Sequence, residues 1–176
     1  MNFKKMNEEI LKQLAGRYDT GVRYVEVDEK TFFVIPDPAA FGWFVPRSEL
    51  YISTGKMGKV DAELMNQFFP SLVELTVPAN EIKPTPYYIR EVGKYFQRFE
   101  GKAKRGATRR VYIDERFLKW LNVDGVRFYQ FPFPEKDLRK QPIVAVAERY
   151  NSKHETEKYP VMVILPAFLK DHIDAY

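Results

Sequence analysis

Two segments near opposite ends of the 176-residue chain share one sequence pattern. Residues 7–14 read NEEILKQL and residues 114–121 read DERFLKWL. In both, Asn or Asp can cap a helix start, and the Glu that follows suits the positive end of the helix. The apolar fourth, fifth and eighth positions form one stripe on such a helix. The pattern therefore predicts an amphipathic helix in each segment.

Similar predicted strands surround both helices. After each helix a Gly-Val-Arg sequence opens an alternating segment, and each final strand leads to a Pro, which cannot donate to a ladder. The predicted strands are residues 1–6, 21–27, 31–35 and 41–46 in the first segment, and 109–113, 125–131, 143–147 and 161–166 in the second. Helix followed by strands is a common order, so chance similarity is the alternative. We predict an α+β fold of two internally duplicated βαβββ units with mostly antiparallel sheets and two packed helices.

The segment between these units matches neither of them. Its predicted elements are a helix at residues 61–69, strands at 72–77 and 94–99, and an exposed connector at 100–108. Pro78, Pro84 and Pro86 are expected to interrupt it. We predict one domain, residues 1–176, with repeat one at about 1–50, an insertion at about 51–108 and repeat two at about 109–170.

Composition excludes several classes of protein. Hydrophobic residues make up 45% of the chain, enough to build a core. The sequence contains no cysteine, which excludes disulfide scaffolds and Cys-based zinc sites and favours a cytoplasmic protein. We expect no signal peptide, because the opening segment is charged throughout, and no apolar run is long enough to cross a membrane. Phosphate loops and common hydrolase motifs are also absent, so we expect no catalytic residues, metal or cofactor, although a dispersed active site stays an alternative.

The clearest charge feature is a run of basic residues without any acidic residue between Glu100 and Asp114. It comprises Lys102, Lys104, Arg105, Arg109 and Arg110. Clustered cations on a loop can contact DNA phosphates, whereas the alternative is a solvated linker. Aromatic residues lie beside cations at residues 87–90 and 95–99, where base stacking is possible and core packing is favoured.

The paired units resemble the domain of DNA sliding clamps, the polymerase processivity factors. The opening at residues 3–14 and the closing strand at residues 163–166 carry this resemblance, while residues 51–108 depart from it. It implies helices facing double-stranded DNA, with Lys12, Arg116 and Lys119 near the duplex, and a homo-oligomer if a ring encircles DNA. The chain's small size also suits a phage or mobile-element protein.

Two functions follow as hypotheses. The first is a non-enzymatic protein that acts on DNA, or on DNA-bound replication machinery, through sequence-independent electrostatics. The second is a phage or mobile-element interaction module or inhibitor that binds a host protein through exposed aromatic strands at residues 41–44 or 95–99.

Overall fold

In the computed structural model, the described residues are 1–15, 21–36, 40–63, 71–103, 106–131, 141–167 and 169. The chain divides into two compact units, residues 1–70 and residues 71–176. The boundary between these units lies inside the predicted insertion. The prediction of a single domain over residues 1–176 stays a prediction. None of the described helices is long and apolar enough to cross a membrane.

The first unit contains one long helix and a small sheet. Its elements are α1 (Phe3–Leu14), β1 (Arg23–Glu26), β2 (Thr31–Ile35), β3 (Phe41–Pro46) and β4 (Gly58–Lys59). The strands lie in the order β4-β1-β2-β3, and β1, β2 and β3 form an antiparallel meander. Met6 and Ile10 of α1 are fully buried, as are Val34 of β2 and Trp43 of β3. The strands predicted at residues 21–27, 31–35 and 41–46 are therefore confirmed as β1, β2 and β3.

The start of this unit corrects two predictions. Residues 1–6 are not a strand, because the side chain of Asn2 accepts a hydrogen bond from Lys5 N at 3.1 Å and the helix begins at Phe3. Asn7 is not the helix cap. It is buried inside α1, where its Nδ2 donates to the carbonyl oxygens of Phe3 and Glu49, both at 2.8 Å.

The described residues of the second unit form two short α-helices and six strands. They are α2 (Leu72–Leu75), β5 (Glu81–Glu91), β6 (Lys94–Lys102), β7 (Thr108–Asp114), α3 (Glu115–Leu118), β8 (Val126–Tyr129), β9 (Ile143–Tyr150) and β10 (Thr156–Ile164). The strands lie in the order β10-β9-β8-β5-β6-β7, and every pair is antiparallel. Phe99 of β6 and Phe128 of β8 pack edge to face in its core, with ring centroids 4.9 Å apart. Together the units confirm an α+β protein with mostly antiparallel strands.

Strand and helix predictions in this unit have mixed outcomes. Residues 72–77 are not a strand, because Leu72–Leu75 form a helix in which Leu75 N donates to Ser71 O and Thr76 N donates to Leu72 O. The predicted helix at 114–121 shortens to α3, although Asp114 caps it as expected. The strands predicted at 94–99, 109–113, 125–131, 143–147 and 161–166 are confirmed with shifted ends. The helix predicted at 61–69 lies largely outside the described residues.

The predicted connector at residues 100–108 is instead part of a β-hairpin. Strands β6 and β7 run antiparallel as far as the Lys102–Thr108 pair, and Ala103 N donates to Ala107 O at 2.8 Å. Gly106 adopts a φ of +78°, which a glycine accepts without steric cost. Lys102 therefore belongs to β6, whereas Lys104 and Arg105 lie outside the described residues.

Candidate nucleic-acid interface

A bulge in β5 creates an unusual contact between an arginine and a tyrosine. Pro84 pairs with Phe99 and Tyr88 pairs with Gln97, so three residues of β5, at 85–87, lie opposite Arg98. Pro84 and Pro86 lack the N–H groups of a regular ladder, which favours a bulge here.

Side chains hold this bulge in place. Thr85 Oγ1 donates to the carbonyl oxygen of Arg98 at 2.8 Å, and Gln97 Nε2 donates to the carbonyl oxygen of Thr85 at 3.0 Å. The bulge brings the Arg98 guanidinium carbon to 4.0 Å from the centroid of the Tyr87 ring. Tyr87 itself is 59% exposed, so the stacked pair forms a flat platform at the surface.

Glu100 links the arginines of two neighbouring strands. Its Oε1 lies 3.2 Å from Arg98 Nε and 3.5 Å from Arg110 Nε. Lys83 of β5 and Arg110 of β7 both pair directly with Glu100 in the sheet register. Side chains that are direct cross-strand neighbours share one face of a sheet. A row of positive, negative and positive side chains therefore crosses three strands.

This surface is called the basic face below. It comprises Lys83, Tyr87, Arg98, Glu100, Lys102 and Arg110. Lys102 belongs to it because it lies two residues beyond Glu100 on β6 and is exposed. These six residues have four basic side chains and one acidic side chain, a net charge of +3, and Glu81, two residues before Lys83 on β5, adds one negative charge on the same side of that strand. Glu100 holds two arginines in position without neutralising the surface, an arrangement suited to phosphate oxygens.

The predicted basic run divides among different environments. Lys102 and Arg110 lie on the basic face, while Lys104 and Arg105 lie outside the described residues. The prediction that Arg109 contacts DNA is corrected, because its side chain is buried and Nη2 donates to the carbonyl oxygen of Gln130 at 3.1 Å. A buried guanidinium is not available to a phosphate. Alternation along β7 explains why Arg109 and Arg110 face opposite sides.

The predicted helix cations have other surroundings in the part of the chain that the structure describes. Lys12 is exposed in the last turn of α1, in the first unit. Lys119 lies over the ring of Trp120, 4.5 Å from its centroid. Arg116 forms a two-pronged ion pair with Asp114, with Nη2 and Oδ2 2.6 Å apart. Their contact with DNA stays a prediction.

Asp114 is a carboxylate whose surroundings lower its pKa. Burial acts to raise its pKa, but hydrogen bonds from the side chain and backbone N–H of Arg116, with the positive charges of Arg116 and Lys94, outweigh burial and lower the pKa. The same pairing raises the pKa of Arg116. This pair is engaged in capping α3, so we assign it a structural role.

Sequence reasoning missed Lys83 as a surface cation and favoured core packing for both aromatic clusters. Phe96 and Phe99 are indeed buried, and Leu169 packs on Phe96 and Tyr112. The tyrosines at positions 87, 88 and 95 are exposed instead. The two prolines before Tyr87 were the available signal of an irregular strand. The bulge itself depends on pairing with β6, which no local pattern describes.

The aromatic strand at residues 41–44 does not provide an exposed anchor. Trp43 and Phe44 are buried, and Phe33 packs on Phe44 with ring centroids 4.8 Å apart. These rings form the core of the first unit. This prediction for a protein-binding surface is therefore wrong.

The first unit has a groove of about 350 Å³ between α1 and residues 51–56. Exposed Leu11 and Tyr51 line it, together with Lys4, Glu8 and Lys56. Tyr51 donates from its hydroxyl to Glu49 Oε2 at 2.9 Å, and this hydrogen bond with the negative charge of Glu49 raises the pKa of Tyr51. The groove is an apolar surface edged by charges.

Within the described ranges, no three His, Asp or Glu side chains are placed to hold a metal ion. His154 occupies a turn with a φ of +60°. Comparison of the chain with protein-family models, with curated proteins and with solved structures found no significant match.

Proposed function

We propose that this protein is a non-enzymatic DNA-binding protein that holds the phosphate backbone on its basic face. The observation that supports this proposal is the row of side chains across three strands, in which Glu100 positions Arg98 and Arg110 beside Lys83. Pre-positioned arginines lose less side-chain freedom on contacting phosphates. The Tyr87–Arg98 platform adds a flat surface for sugar or base contacts. Binding is electrostatic and independent of sequence.

A clamp-like duplication is the finer part of this proposal. In the first unit α1 is followed by the meander β1-β2-β3, and in the second α3 is followed by the meander β8-β9-β10. This shared order supports two related units. The described parts of the two units also differ. A strand precedes the helix only in the second unit, where it is β7, and α3 has four residues whereas α1 has twelve. Encircling a duplex would require a homo-oligomer, so a strictly monomeric mass in light scattering would contradict a ring.

The decisive experiment is a titration of a short random-sequence DNA duplex at about 50 to 200 mM salt. The test variant is Lys83→Glu, Lys102→Glu and Arg110→Glu combined. The matched control is Lys30→Glu, Lys56→Glu and Lys153→Glu, three exposed lysines elsewhere with a similar charge change.

We expect wild-type affinity to fall steeply with salt. Each lost phosphate contact flattens the slope of log K against log salt by about 0.9, so the test variant should lose about 2 to 3 units of slope. The control should lose less than half as much. Absence of wild-type binding at low salt, or equal losses in both variants, would refute the proposal.

The second candidate function is binding of a protein partner at the groove of the first unit. Leu11 and Tyr51 expose apolar surface there between Lys4 and Lys56. Such a surface fits a host protein better than a duplex, since its lining is mainly apolar. A Leu11→Glu variant that retains DNA binding and loses a protein partner would favour this alternative.

A further inference from the structure

The β5–β6 hairpin ends in a turn whose sequence disagrees with its conformation. Glu91 and Lys94 are the last paired residues, and the two-residue turn is Val92 and Gly93. Their φ values are +48° and +74°. A turn with two positive φ values favours Asn-Gly, because a β-branched residue meets its own backbone there. Val92 therefore occupies a strained position.

Burial in the core does not explain why a valine occupies this position. Val92 is 91% exposed, more than any other large hydrophobic residue among those the structure describes. A strained backbone conformation at an exposed site indicates that the residue has a functional role and not a role in folding. An Asn at this position would suit both the turn and the solvent.

The surroundings of Val92 indicate what it contacts. Arg90 and Lys94 are exposed beside the turn, and the Arg90 guanidinium carbon lies 5.6 Å from the ring centroid of Tyr95. Tyr88 and Tyr95 are each 49% exposed. Glu91 lies between Arg90 and Val92, so residues 90–94 carry two positive charges and one negative charge. An apolar tip with this positive balance is complementary to the interior of a nucleic-acid groove, which has phosphates on both sides.

The hairpin also connects this tip with the basic face. Strands β5 and β6 carry five basic and three acidic residues, and Lys83, Arg98 and Lys102 belong to the basic face. One hairpin thus carries phosphate contacts near its base and an exposed apolar residue at its end. Apolar wedges on minor-groove proteins unstack base steps in this way.

We infer that Val92 is a wedge that enters the minor groove of a bound duplex and partly unstacks one base step. This inference rests on the proposed function, because the basic face must first hold the DNA. The ligand is double-stranded DNA. Docking of the same tip into a protein would leave the base stacking unchanged.

The experiment uses the full chain and a duplex that contains 2-aminopurine, whose fluorescence rises when it unstacks. Two variants are compared with the wild type. Val92→Asn removes the apolar tip and suits the turn, so the hairpin is kept. Val73→Asn is the matched control, because Val73 is 82% exposed on α2 and is not part of the hairpin.

We expect a several-fold fluorescence rise with the wild type and with Val73→Asn. Val92→Asn should retain salt-dependent binding and lose most of that rise. If the wild type binds without any rise, or if Val92→Asn keeps the full rise, the wedge is refuted and the proposed function stands. If the wild type does not bind DNA at low salt, both proposals fail.

Discussion

Arg109 and Arg110 are neighbours in β7, yet their guanidinium groups lie on opposite faces of the sheet. Arg109 is 1% exposed and donates to the carbonyl oxygen of Gln130. The side chain of Arg110 is 39% exposed and pairs with Glu100. Two adjacent cations therefore have different roles, since one supports the core and the other charges the surface.

Substituting each arginine in turn separates these roles. We expect Arg109→Gln to lower the free energy of unfolding by about 2 to 4 kcal/mol, because a buried side chain with hydrogen bonds is lost. Arg110→Gln should cost less than about 1 kcal/mol and flatten the salt slope of DNA binding by about 0.9. Urea denaturation and DNA titrations measure both quantities. A larger slope change in Arg109→Gln than in Arg110→Gln would contradict the assignment.

Glu100 should oppose DNA binding even though it organises the basic face. Glu100→Gln removes the negative charge that lies between Arg98 and Arg110, so we expect tighter binding at low salt and a steeper salt dependence. Glu148→Gln is the control, because it makes the same charge change at an exposed position near the end of β9. If both variants bind equally well, net charge alone governs affinity. Weaker binding by Glu100→Gln would mean that holding the arginines outweighs the repulsion of phosphate by Glu100.

Asn7 is expected to stabilise the first unit through its buried amide. Its Nδ2 donates to two carbonyl oxygens, and its Oδ1 accepts from Tyr51 N at 2.9 Å. Asn7→Ala leaves backbone groups of Glu49 and Tyr51 without these partners and should cost about 1 to 3 kcal/mol in urea denaturation. The exposed neighbour Glu8 provides the control, and Glu8→Ala should change stability by less than about 0.5 kcal/mol. Equal effects would contradict this role.

Asp114 should make stability depend on acid pH. Its folded-state pKa lies below the unfolded value of about 3.9, so its contribution is present above that value and is lost as pH falls through the folded pKa. Asp114→Asn keeps a capping side chain and loses the charge. We expect this variant to be about 1 kcal/mol less stable at pH 7, since the Arg116 side chain is largely solvated.

The measurement is urea denaturation of both proteins between neutral pH and pH 2. The difference between them should narrow below about pH 4 and disappear in acid. A constant difference across this range would show that the charge of Asp114 contributes nothing to stability.

The local sequence determined those elements in which the apolar pattern and the residues that end the element indicate the same bounds. Strands β2 and β3 have the predicted bounds, because a short apolar run specifies each strand and a Pro directly after β2 or at the end of β3 specifies where it stops. Asp114 caps a helix as predicted, since its hydrogen bond to Arg116 N lies within one turn. These features depend on residues that are close in sequence.

Local sequence failed where two patterns competed. Residues 72–77 alternate like a strand, but a strand needs a partner, and this segment forms a helical turn instead. At the N-terminus both Asn2 and Asn7 can cap a helix. Asn2 does so, because Asn7 is held by Glu49 and Tyr51, more than forty positions away.

Only the tertiary structure decided the candidate site. Lys83, Glu100 and Arg110 form one row because β5, β6 and β7 pair in a particular register. A shift of one residue would move every side chain of a strand to the other face. The sequence by itself determined that the chain carries cations and strands. Which cations are buried, and which meet on one surface, depends on hydrogen bonds between distant segments, and no local pattern encodes that register.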